Sequence, residues 1–486
     1  MSKGDLGMND FKEVFLGCAD SDTEAERNPK MFSTCFFDPD NNIEELLNGY
    51  KYIVSGRKGD GKSAYSAKIS LLEDELSICT AKKTLNNFNN IIFEKLATYK
   101  NLGGNQYISF WKCVLMIETV KLINEKQNSV SDENFTALVD SLREIGLLET
   151  EDIARTVIKL VETNTSFNLK SAFSRTHKHE HQKELQGTEE IYLAIRKTIQ
   201  NLYFGTSKQY LLIDGLDDIL SVDNFEPKVI TGLIRACDEI NSYFRKSTLF
   251  LKVIVFARTD ILSVCRDTNF SKILRDSSIE LSWKIEDISD ASSSMLLRLV
   301  KKRFDNVWDN NESFIDIWNQ IFQPIDASKS SLEYVLENII YRPRDILQFM
   351  LEAQSSYSGN KISEPMLQSI LYNYSNNYFV GAMQDELTGF FPDSAVIVLP
   401  TVLSKIGQQY FRVDDFKKEC NKHKEFENVD ATELLKKMFI DGYIGQHRPK
   451  AVGEYTVFKY RNPRETFNEE HECIVHRGLM RSLTIT

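Results

Sequence analysis

The stretch Tyr50–Ser63 reads YKYIVSGRKGDGKS, and it decides the fold. Its first part, Tyr50–Ser55, is a short β-rich run that predicts a buried strand. The second part, Gly56–Ser63, matches the pattern GxxxxGK[ST], and Ser63–Leu72 has helix-forming content. Strand, glycine loop and helix in this order predict a phosphate-binding loop, because backbone N–H groups and a helix N-terminus then face an anion.

The residue types within this loop predict how a nucleotide is held. Lys62 is expected to neutralise the β and γ phosphates of ATP, and the hydroxyl of Ser63 is expected to coordinate Mg²⁺. A tight turn without a ligand is the alternative, but it leaves the acidic motif described next without a role. The residues predicted to bind the nucleotide are Gly56, Arg57, Lys58, Gly59, Asp60, Gly61, Lys62, Ser63 and Ala64.

The acidic motif that such a loop requires lies at 211–218, which reads LLIDGLDD. Asp214 follows three apolar residues, so it is predicted to end a buried strand and to hold the Mg²⁺ shell. Asp218 is the first choice for the residue that polarises the attacking water, and Asp217 is the alternative. An N-cap cluster of aspartates explains the acidity but not its pairing with the glycine loop.

Further short apolar runs predict the other strands of a parallel α/β sheet. They lie at Leu76–Thr80, Tyr210–Ile213, Leu251–Ala257 and Ser278–Trp283. Arg258, directly after one of these runs, is predicted to sense the γ-phosphate and to act in catalysis; a buried salt-bridging arginine is the alternative.

The order of these runs predicts four regions. Residues 1–49 lead into the nucleotide site, and 50–285 form the core, with a helical insertion at about 81–208 because that spacing exceeds a βαβ crossover. Residues 286–390 are predicted to form a helical lid. Residues 391–486 are predicted to form a winged-helix-like domain, because three amphipathic helices precede a strand hairpin there: Ala395–Ile406, Val413–Lys422, Ala431–Asp441 and then Tyr455–Tyr460.

Composition narrows the functional classes. The 486 residues contain 59 Lys and Arg against 70 Asp and Glu, a net charge of −11, which argues against a chain that coats nucleic acid along its whole surface. Eight scattered cysteines favour a reducing compartment. With no apolar signal core near the N-terminus and no long uncharged apolar stretch, we expect a cytoplasmic protein that does not span a membrane.

Four motifs in this order carry a family resemblance: GRKGDGKS, LLIDGLDD, VFARTD at 255–260 and YRPRDILQFM at 341–350. The series resembles the AAA+ and STAND P-loop ATPases of the ASCE type over about residues 30–350. In such families an Arg-Pro-Arg segment opens a helix of the lid and supplies a second sensor. The resemblance therefore implies that Arg342 or Arg344 binds nucleotide, and pairing with acidic neighbours is the alternative.

A narrower resemblance lies in the N-terminal segment. DSDTEAERNP at 20–29, FFDPD at 36–40 and IEELLNG at 43–49 look like a poorly characterised bacterial group of P-loop ATPases, some of which lie in phage-defence gene clusters. The resemblance implies that Phe36 or Phe37 stacks on the base, although a core position is favoured. It also implies an arginine finger from a neighbouring subunit, for which Arg266 or Arg275 is placed, although ordinary surface charges are favoured.

The leading functional hypothesis is an ATP-driven switch that controls self-assembly or a separately encoded effector, with a role in phage defence implied by the resemblance alone. A DNA-binding or DNA-loading ATPase is the first alternative. Residues 401–486 hold 15 Lys and Arg against 13 Asp and Glu, with Lys436 and Lys437 on the third helix, so packing against protein is favoured over DNA. A scaffold that binds ATP without hydrolysis is the second alternative.

Overall fold

The computed structural model describes residues 10–85, 104–127, 130, 132–149, 155–156, 160, 166–169, 183–186, 188–216, 227–265, 267–285, 294–308, 311–326, 330–449 and 454–485. Within these ranges the strands are, in chain order, Ile53–Gly56 (β1), Ile78–Thr84 (β2), Ser166–Leu169 (β3), Lys183–Gln186 (β4), Lys208–Asp214 (β5), Leu251–Arg258 (β6), Ser278–Glu280 (β7), Tyr410–Phe411 (β8), Ile444–Pro449 (β9), Glu454–Val457 (β10) and Glu472–Val475 (β11).

The α-helices in the same ranges are Ser21–Arg27 (α1), Pro29–Cys35 (α2), Asn42–Asn48 (α3), Lys62–Leu71 (α4), Gly104–Lys126 (α5), Glu133–Glu144 (α6), Thr188–Ile199 (α7), Pro227–Phe244 (α8), Thr259–Val264 (α9), Phe270–Ser277 (α10), Met295–Phe304 (α11), Phe314–Ile321 (α12), Ser331–Leu336 (α13), Pro343–Ser356 (α14), Glu364–Tyr374 (α15), Val380–Leu387 (α16), Asp393–Ile406 (α17), Val413–Cys420 (α18), Ala431–Asp441 (α19) and Arg477–Met480 (α20). A π-helical turn, Ser375–Phe379, joins α15 to α16.

The chain divides into two compact units. One comprises residues 40–57 and 62–281, and the other comprises residues 1–39, 58–61 and 282–486. We refer to the first as the sheet unit and to the second as the helical unit.

The sheet unit is built on five parallel strands in the order β2-β5-β6-β1-β7. Every residue of β6, in the middle of the sheet, is buried, which is the burial expected of a strand covered on both faces. β6 lies between β1, which leads into the glycine loop, and β5, which ends in Asp214. The predicted α/β class with a parallel-sheet core is confirmed.

Strand β2 runs further than the sequence pattern predicted. It pairs with β5 from Ile78 opposite Lys208 to Thr84 opposite Asp214, whereas the apolar run ends at Thr80. The last part of the strand, AKKT, is polar, so periodicity alone gave no sign of it. Backbone pairing with β5 holds these residues in the strand.

The predicted helical insertion between β2 and β5 contains α5, α6 and α7. The apolar part of α5 is buried, and the indole Nε1 of Trp111 donates a hydrogen bond to the carbonyl of Val229 (2.9 Å). Helix α6 begins where the Asp132 side chain accepts from the Phe135 N–H, and it ends before Gly146, which has a φ of 69°. Part of the amphipathic stretch that follows lies outside the described residues.

In the helical unit, α17, β8, α18 and α19 precede β9, β10 and β11, and the four strands form an antiparallel sheet in the order β10-β9-β11-β8. These elements lie in the region predicted to be winged-helix-like, and that assignment stays a prediction. Helix α19 has the predicted bounds because both its ends are specified locally: Asp430 accepts from the N–H groups of Thr432 and Glu433, and Gly442 follows in the left-handed conformation. One hydrophobic core runs from Phe11 to Ile485, so the predicted lid and C-terminal regions share it.

Candidate functional site

The glycine loop lies between β1 and α4, as the sequence predicts. Its backbone has a φ of 86° at Gly59 and 97° at Gly61, in the left-handed region that glycine adopts without strain. A Cβ added at Gly61 would meet nothing within 4 Å, so backbone conformation rather than space requires glycine there. The loop therefore has the turn geometry that brings successive N–H groups towards an anion at the start of a helix.

Lys62, the first residue of α4, lies against the loop. Its side chain is buried, and its Nζ donates to the carbonyls of Gly56 (3.4 Å) and Arg57 (3.1 Å). The ammonium thus lies over the loop backbone at the N-terminus of a helix. In this position it can exchange two carbonyl partners for phosphate oxygens without leaving the loop.

Asp214 ends β5 and is held by three donors. Its Oδ1 accepts from the Gly215 N–H (2.8 Å), while its Oδ2 lies 3.1 Å from both the Ser66 Oγ and the Lys82 Nζ. The Ser66 Oγ also lies 3.0 Å from the carbonyl of Ser63, one turn earlier in α4. Asp214 is therefore tied to the helix that follows the glycine loop, although β6 separates its strand from β1.

Ser63 and Asp214 form a donor set that fits Mg²⁺. A serine hydroxyl and a carboxylate both supply hard oxygen atoms, and Mg²⁺ takes few protein ligands and completes its shell with water and phosphate oxygens. The Ser66 hydroxyl contacts both the Asp214 carboxylate and the backbone carbonyl of Ser63, so it links the end of β5 to the first turn of α4. The positive charge of Lys82 beside Asp214 shows that this carboxylate already attracts a cation.

Arg258 lies beside the start of the loop. In the pairing of β6 with β1 it is opposite Gly56. Its guanidinium makes a two-pronged ion pair with Asp260, with Nε to Oδ1 at 3.0 Å and Nη2 to Oδ2 at 2.6 Å. The buried ion pair that was the alternative is thus observed, and the roles of Arg258 as a γ-phosphate sensor and in catalysis stay predictions.

The two aspartates predicted to polarise water, Asp217 and Asp218, lie outside the described residues. The chain can be followed from Asp214 through Gly215, which has a φ of 73°, to the buried Leu216. Arg266, one of two candidates for an arginine finger, also lies outside the described residues. The other, Arg275, has an exposed side chain whose Nε is 3.3 Å from an oxygen of its neighbour Asp276.

Within the helical unit, three hydrogen bonds to backbone carbonyls hold residues 58–61 of the loop. The carbonyl of Lys58 accepts from Arg342 Nη1 (3.3 Å), that of Gly59 from the Arg344 N–H (3.4 Å), and that of Asp60 from the Trp283 indole (2.9 Å). The Arg-Pro-Arg segment therefore contacts the loop backbone directly. Trp283 also packs near Phe37, whose ring centroid is 6.4 Å away, which is a core position for that phenylalanine.

Arg342 is the centre of a buried polar cluster. Its guanidinium pairs with Asp345 (Nε to Oδ2, 2.6 Å) and with Glu386 (Nη1 to Oε1, 3.0 Å), and Nη2 donates to the Tyr443 hydroxyl (3.3 Å). Burial opposes the charge, but Asp345 and the other partners raise the pKa of Arg342 well above its ordinary value. The acidic pairing considered for this arginine is present. Its neighbour Arg344 is half-buried and lines a cavity of about 190 Å³ with Lys58 and Tyr378.

Three contacts of the site were missed by sequence reasoning: Ser66, Lys82 and Trp283. Ser66 lies one helical turn after Ser63, a spacing that was available as a signal. Lys82 contacts Asp214 through strand pairing. Trp283 contacts Asp60 through the folding of distant parts of the chain. A local sequence pattern predicts neither contact.

The loop, the order of the strands and the position of Asp214 beside α4 together are those of a P-loop nucleotide-binding fold. Among the helices in the described ranges, none combines the length and the apolar composition that crossing a bilayer requires.

Comparison with known proteins gives three findings. The model of the FunZ-associated C-terminal helical domain matches residues 294–380. The chain is 22% identical over 480 residues to the "Putative transposon gamma-delta 80.3 kDa protein" of Escherichia coli (strain K12), an alignment that covers 94% of this chain. This chain spans 65% of the length of that relative.

Among solved structures, the chain aligns with Cdc6p from Pyrobaculum aerophilum. The alignment covers 95% of this chain and 93% of the other, at 12% identity and a TM-score of 0.30. A likeness this low does not assign a fold, so the fold assignment above rests on the strand order and loop geometry.

Proposed function

We propose that this chain binds ATP with Mg²⁺ at the loop Gly56–Ser63, hydrolyses it, and uses the nucleotide state as a switch that controls self-assembly or a partner protein. The observation that carries the proposal is the junction at α4. There a buried lysine lies over the glycine loop, and one turn further along a serine ties the helix to the carboxylate at the end of β5. In this proposal the loop and Lys62 hold the phosphates, and Ser63 together with Asp214 holds the metal.

Each group at this junction has a defined task in the proposed reaction. Lys62 neutralises the β and γ phosphates, and the loop N–H groups orient them. Ser63 and Asp214 position the metal shell, and bound Mg²⁺ supplies charge neutralisation of the transferred phosphoryl group. Asp218, or Asp217 in its place, accepts a hydrogen bond from the attacking water.

The contacts of Arg342 support a switch rather than a simple hydrolase. One guanidinium binds the carbonyl of Lys58 in the loop and the hydroxyl of Tyr443 in the C-terminal region. A rearrangement of the loop backbone on nucleotide binding therefore acts on a residue that also holds the C-terminal region. Such a shared, packed element is what coupling between two regions requires.

The C-terminal region is better suited to packing against protein than to binding DNA. On α19, Lys437 is buried and pairs with Asp441 (2.7 Å), while Lys436 pairs with Glu433 (3.0 Å). Charges that are neutralised within the chain release few counterions from DNA phosphates. The name of the Escherichia coli relative mentions a transposon, but these contacts favour protein packing for this chain.

We further propose that assembly joins copies of this chain and that the controlled effector is a separately encoded protein. A role in phage defence, like the effector, rests on the resemblance of the motifs at 20–29, 36–40 and 56–63 to a bacterial group of P-loop ATPases. The effector and the defence role are both tested by a pull-down, in which the nucleotide-bound chain is used to isolate binding proteins from cells that carry its neighbouring genes.

The first test is phosphate release from the purified chain with ATP and Mg²⁺, beside Lys62→Ala and Asp218→Ala, with mass photometry on the same samples. Lys68→Ala is the matched control, because it removes a half-buried lysine from the same helix. We expect turnover in wild type and Lys68→Ala, none in the other two variants, and larger particles with ATP. Neither binding nor turnover in wild type would contradict the proposal.

A further inference from the structure

Near the end of β2, two adjacent lysines form ion pairs with different carboxylates. The Nζ of Lys82 is 3.1 Å from Asp214 Oδ2, and the Nζ of Lys83 is 3.1 Å from Glu118 Oε2. Neighbouring residues of a strand point to opposite faces of the sheet, so one lysine faces the α4 side and the other faces helix α5. Only Lys82 reaches the proposed metal site.

Strand register explains how Lys82 reaches Asp214. In the pairing of β2 with β5, Lys82 is opposite Leu212, and Thr84 is opposite Asp214. Lys82 and Asp214 therefore lie on one face of the sheet, two residues apart along the strands. The four-carbon stem of the lysine spans this offset, and its side chain remains 20% exposed.

Among the three described partners of Asp214, Lys82 is the one that carries a charge. The Gly215 N–H and the Ser66 hydroxyl are neutral donors, and each satisfies one lone pair of the carboxylate. The Lys82 ammonium, 3.1 Å from the same carboxylate, supplies a full positive charge. A second cation near Asp214 is then repelled by the first.

We propose that Lys82 is a built-in counter-ion of Asp214 that competes with Mg²⁺ and so sets the Mg²⁺ concentration at which nucleotide is bound. The inference rests on the proposed function, because it concerns the same carboxylate. The lysine stabilises the ionised, oriented carboxylate before metal arrives, and its flexible stem lets the ammonium move aside or towards phosphate oxygens when Mg²⁺ approaches. Lys82 is in this sense a positioning residue rather than a catalytic one.

The test is a Mg²⁺ titration of nucleotide binding rather than of turnover. Fluorescence of mant-ATP with the purified full chain is followed from micromolar to millimolar Mg²⁺, and the midpoint is compared between variants. Lys82→Met and Lys82→Gln both remove the charge, and the glutamine keeps an N–H donor. Lys82→Arg keeps the charge, and Lys83→Met is the control on the adjacent residue. Urea unfolding confirms that each variant is folded.

We expect the Mg²⁺ midpoint of Lys82→Met and Lys82→Gln to fall by about three- to tenfold, the effect of removing one partly screened charge pair. Lys82→Arg and Lys83→Met are expected to keep the midpoint of wild type. A midpoint that stays unchanged or rises in both neutral variants overturns the inference, because Lys82 then only orients Asp214 or does nothing there. Absence of mant-ATP binding by wild type at every Mg²⁺ concentration would instead overturn the proposed function itself.

Discussion

At the scale of single residues, Arg258 combines two properties that a stability measurement and a rate measurement separate. It is buried in an ion pair with Asp260, and it lies opposite Gly56 at the start of the loop. We predict that Arg258→Met lowers the turnover number by about tenfold or more, because the proposed γ-phosphate sensor would lose its donor to the developing phosphate charge. Phosphate release at saturating ATP measures this.

Asp260→Asn is the matched control for Arg258→Met. It weakens the same ion pair but leaves the guanidinium in place, so it is expected to lower stability while retaining most of the turnover. Equal losses of turnover in the two variants, in proportion to their losses of stability, would show that the pair is only structural.

Lys252, at the other end of β6, gives a prediction about pH. Its buried Nζ donates to the carbonyl of Gly49 (3.0 Å) at the end of α3, and burial lowers its pKa to about 7, opposed by the charge of Glu45. In the unfolded chain the pKa of a lysine side chain is about 10.4. Between these values the unfolded state binds more protons than the folded state, so this residue makes stability rise as pH increases from 7 towards 10.

Replacing the amine removes this pH dependence. We predict that the free energy of unfolding of wild type minus that of Lys252→Met rises with pH above 7, with a slope of up to about 1.4 kcal/mol per pH unit. Urea unfolding at several values between pH 7 and pH 9.5 measures the slope. The exposed Lys246→Met serves as the control, and a flat difference for Lys252→Met contradicts the lowered pKa.

At the scale of elements, β2 is joined to the helical insertion by a buried charge cluster. Glu118 of α5 is fully buried and lies 3.1 Å from Lys83 and 2.8 Å from both Lys121 and the Thr156 hydroxyl. Burial lowers the pKa of Lys121, while Glu118 raises it. When Glu118 is neutralised, the buried Lys121 and the partly buried Lys83 lose the carboxylate that they share.

We therefore predict that Glu118→Gln destabilises the sheet unit by about 3–5 kcal/mol, the effect of breaking a buried ion pair by removing one partner. Urea unfolding, followed by pulsed alkylation of Cys113 and Cys237, which are buried in the sheet unit, measures this loss. The exposed Glu125→Gln on the same helix is expected to change stability by less than about 0.5 kcal/mol. Similar small changes in both variants would mean that the charge cluster makes no net contribution to the stability of the sheet unit.

The same elements show what a sequence can specify. The loop Gly56–Ser63 and helix α19 were predictable because local chemistry fixes them: glycines with positive φ in one, and an aspartate cap and a terminal glycine in the other. The contacts of Lys82 were not, because they depend on pairing between strands separated by the whole insertion. A strand end such as AKKT carries no periodic signal. Its pairing partner depends on how the whole sheet assembles.

At the scale of the whole molecule, the helical unit has one core that links its N-terminal segment, from Phe11 onwards, to its C-terminal region. Ring centroids of Phe379 and Tyr443 lie 5.4 Å apart, and Gln354 donates to the carbonyl of Phe11 (2.8 Å). Contacts of this kind join the predicted lid to the C-terminal region and to the N-terminal segment. The helical unit should therefore unfold in one transition.

The protection of buried cysteines from alkylation measures whether the helical unit unfolds in one transition. Cys35 and Cys473 are buried in the N-terminal and C-terminal parts of the helical unit. Pulsed alkylation across a urea series is expected to label both with one midpoint, since both become accessible only when the shared core opens. Separate midpoints would indicate that the C-terminal region unfolds independently.

Gly478 in α20 packs closely against the predicted lid region. A Cβ there would lie 2.5 Å from the carbonyl oxygen of Asn338 and 2.7 Å from the Phe379 ring, so backbone and ring must move to admit it. We predict that Gly478→Ala destabilises the whole unit by about 1–3 kcal/mol, as overpacking does. Gly381→Ala on α16 meets nothing within 4 Å and is expected to raise stability by up to about 1 kcal/mol. If the docking of α20 is integral to the core, Gly478→Ala lowers the labelling midpoints of Cys35 and Cys473 together; a shift of Cys473 alone would confine the damage to the C-terminal region.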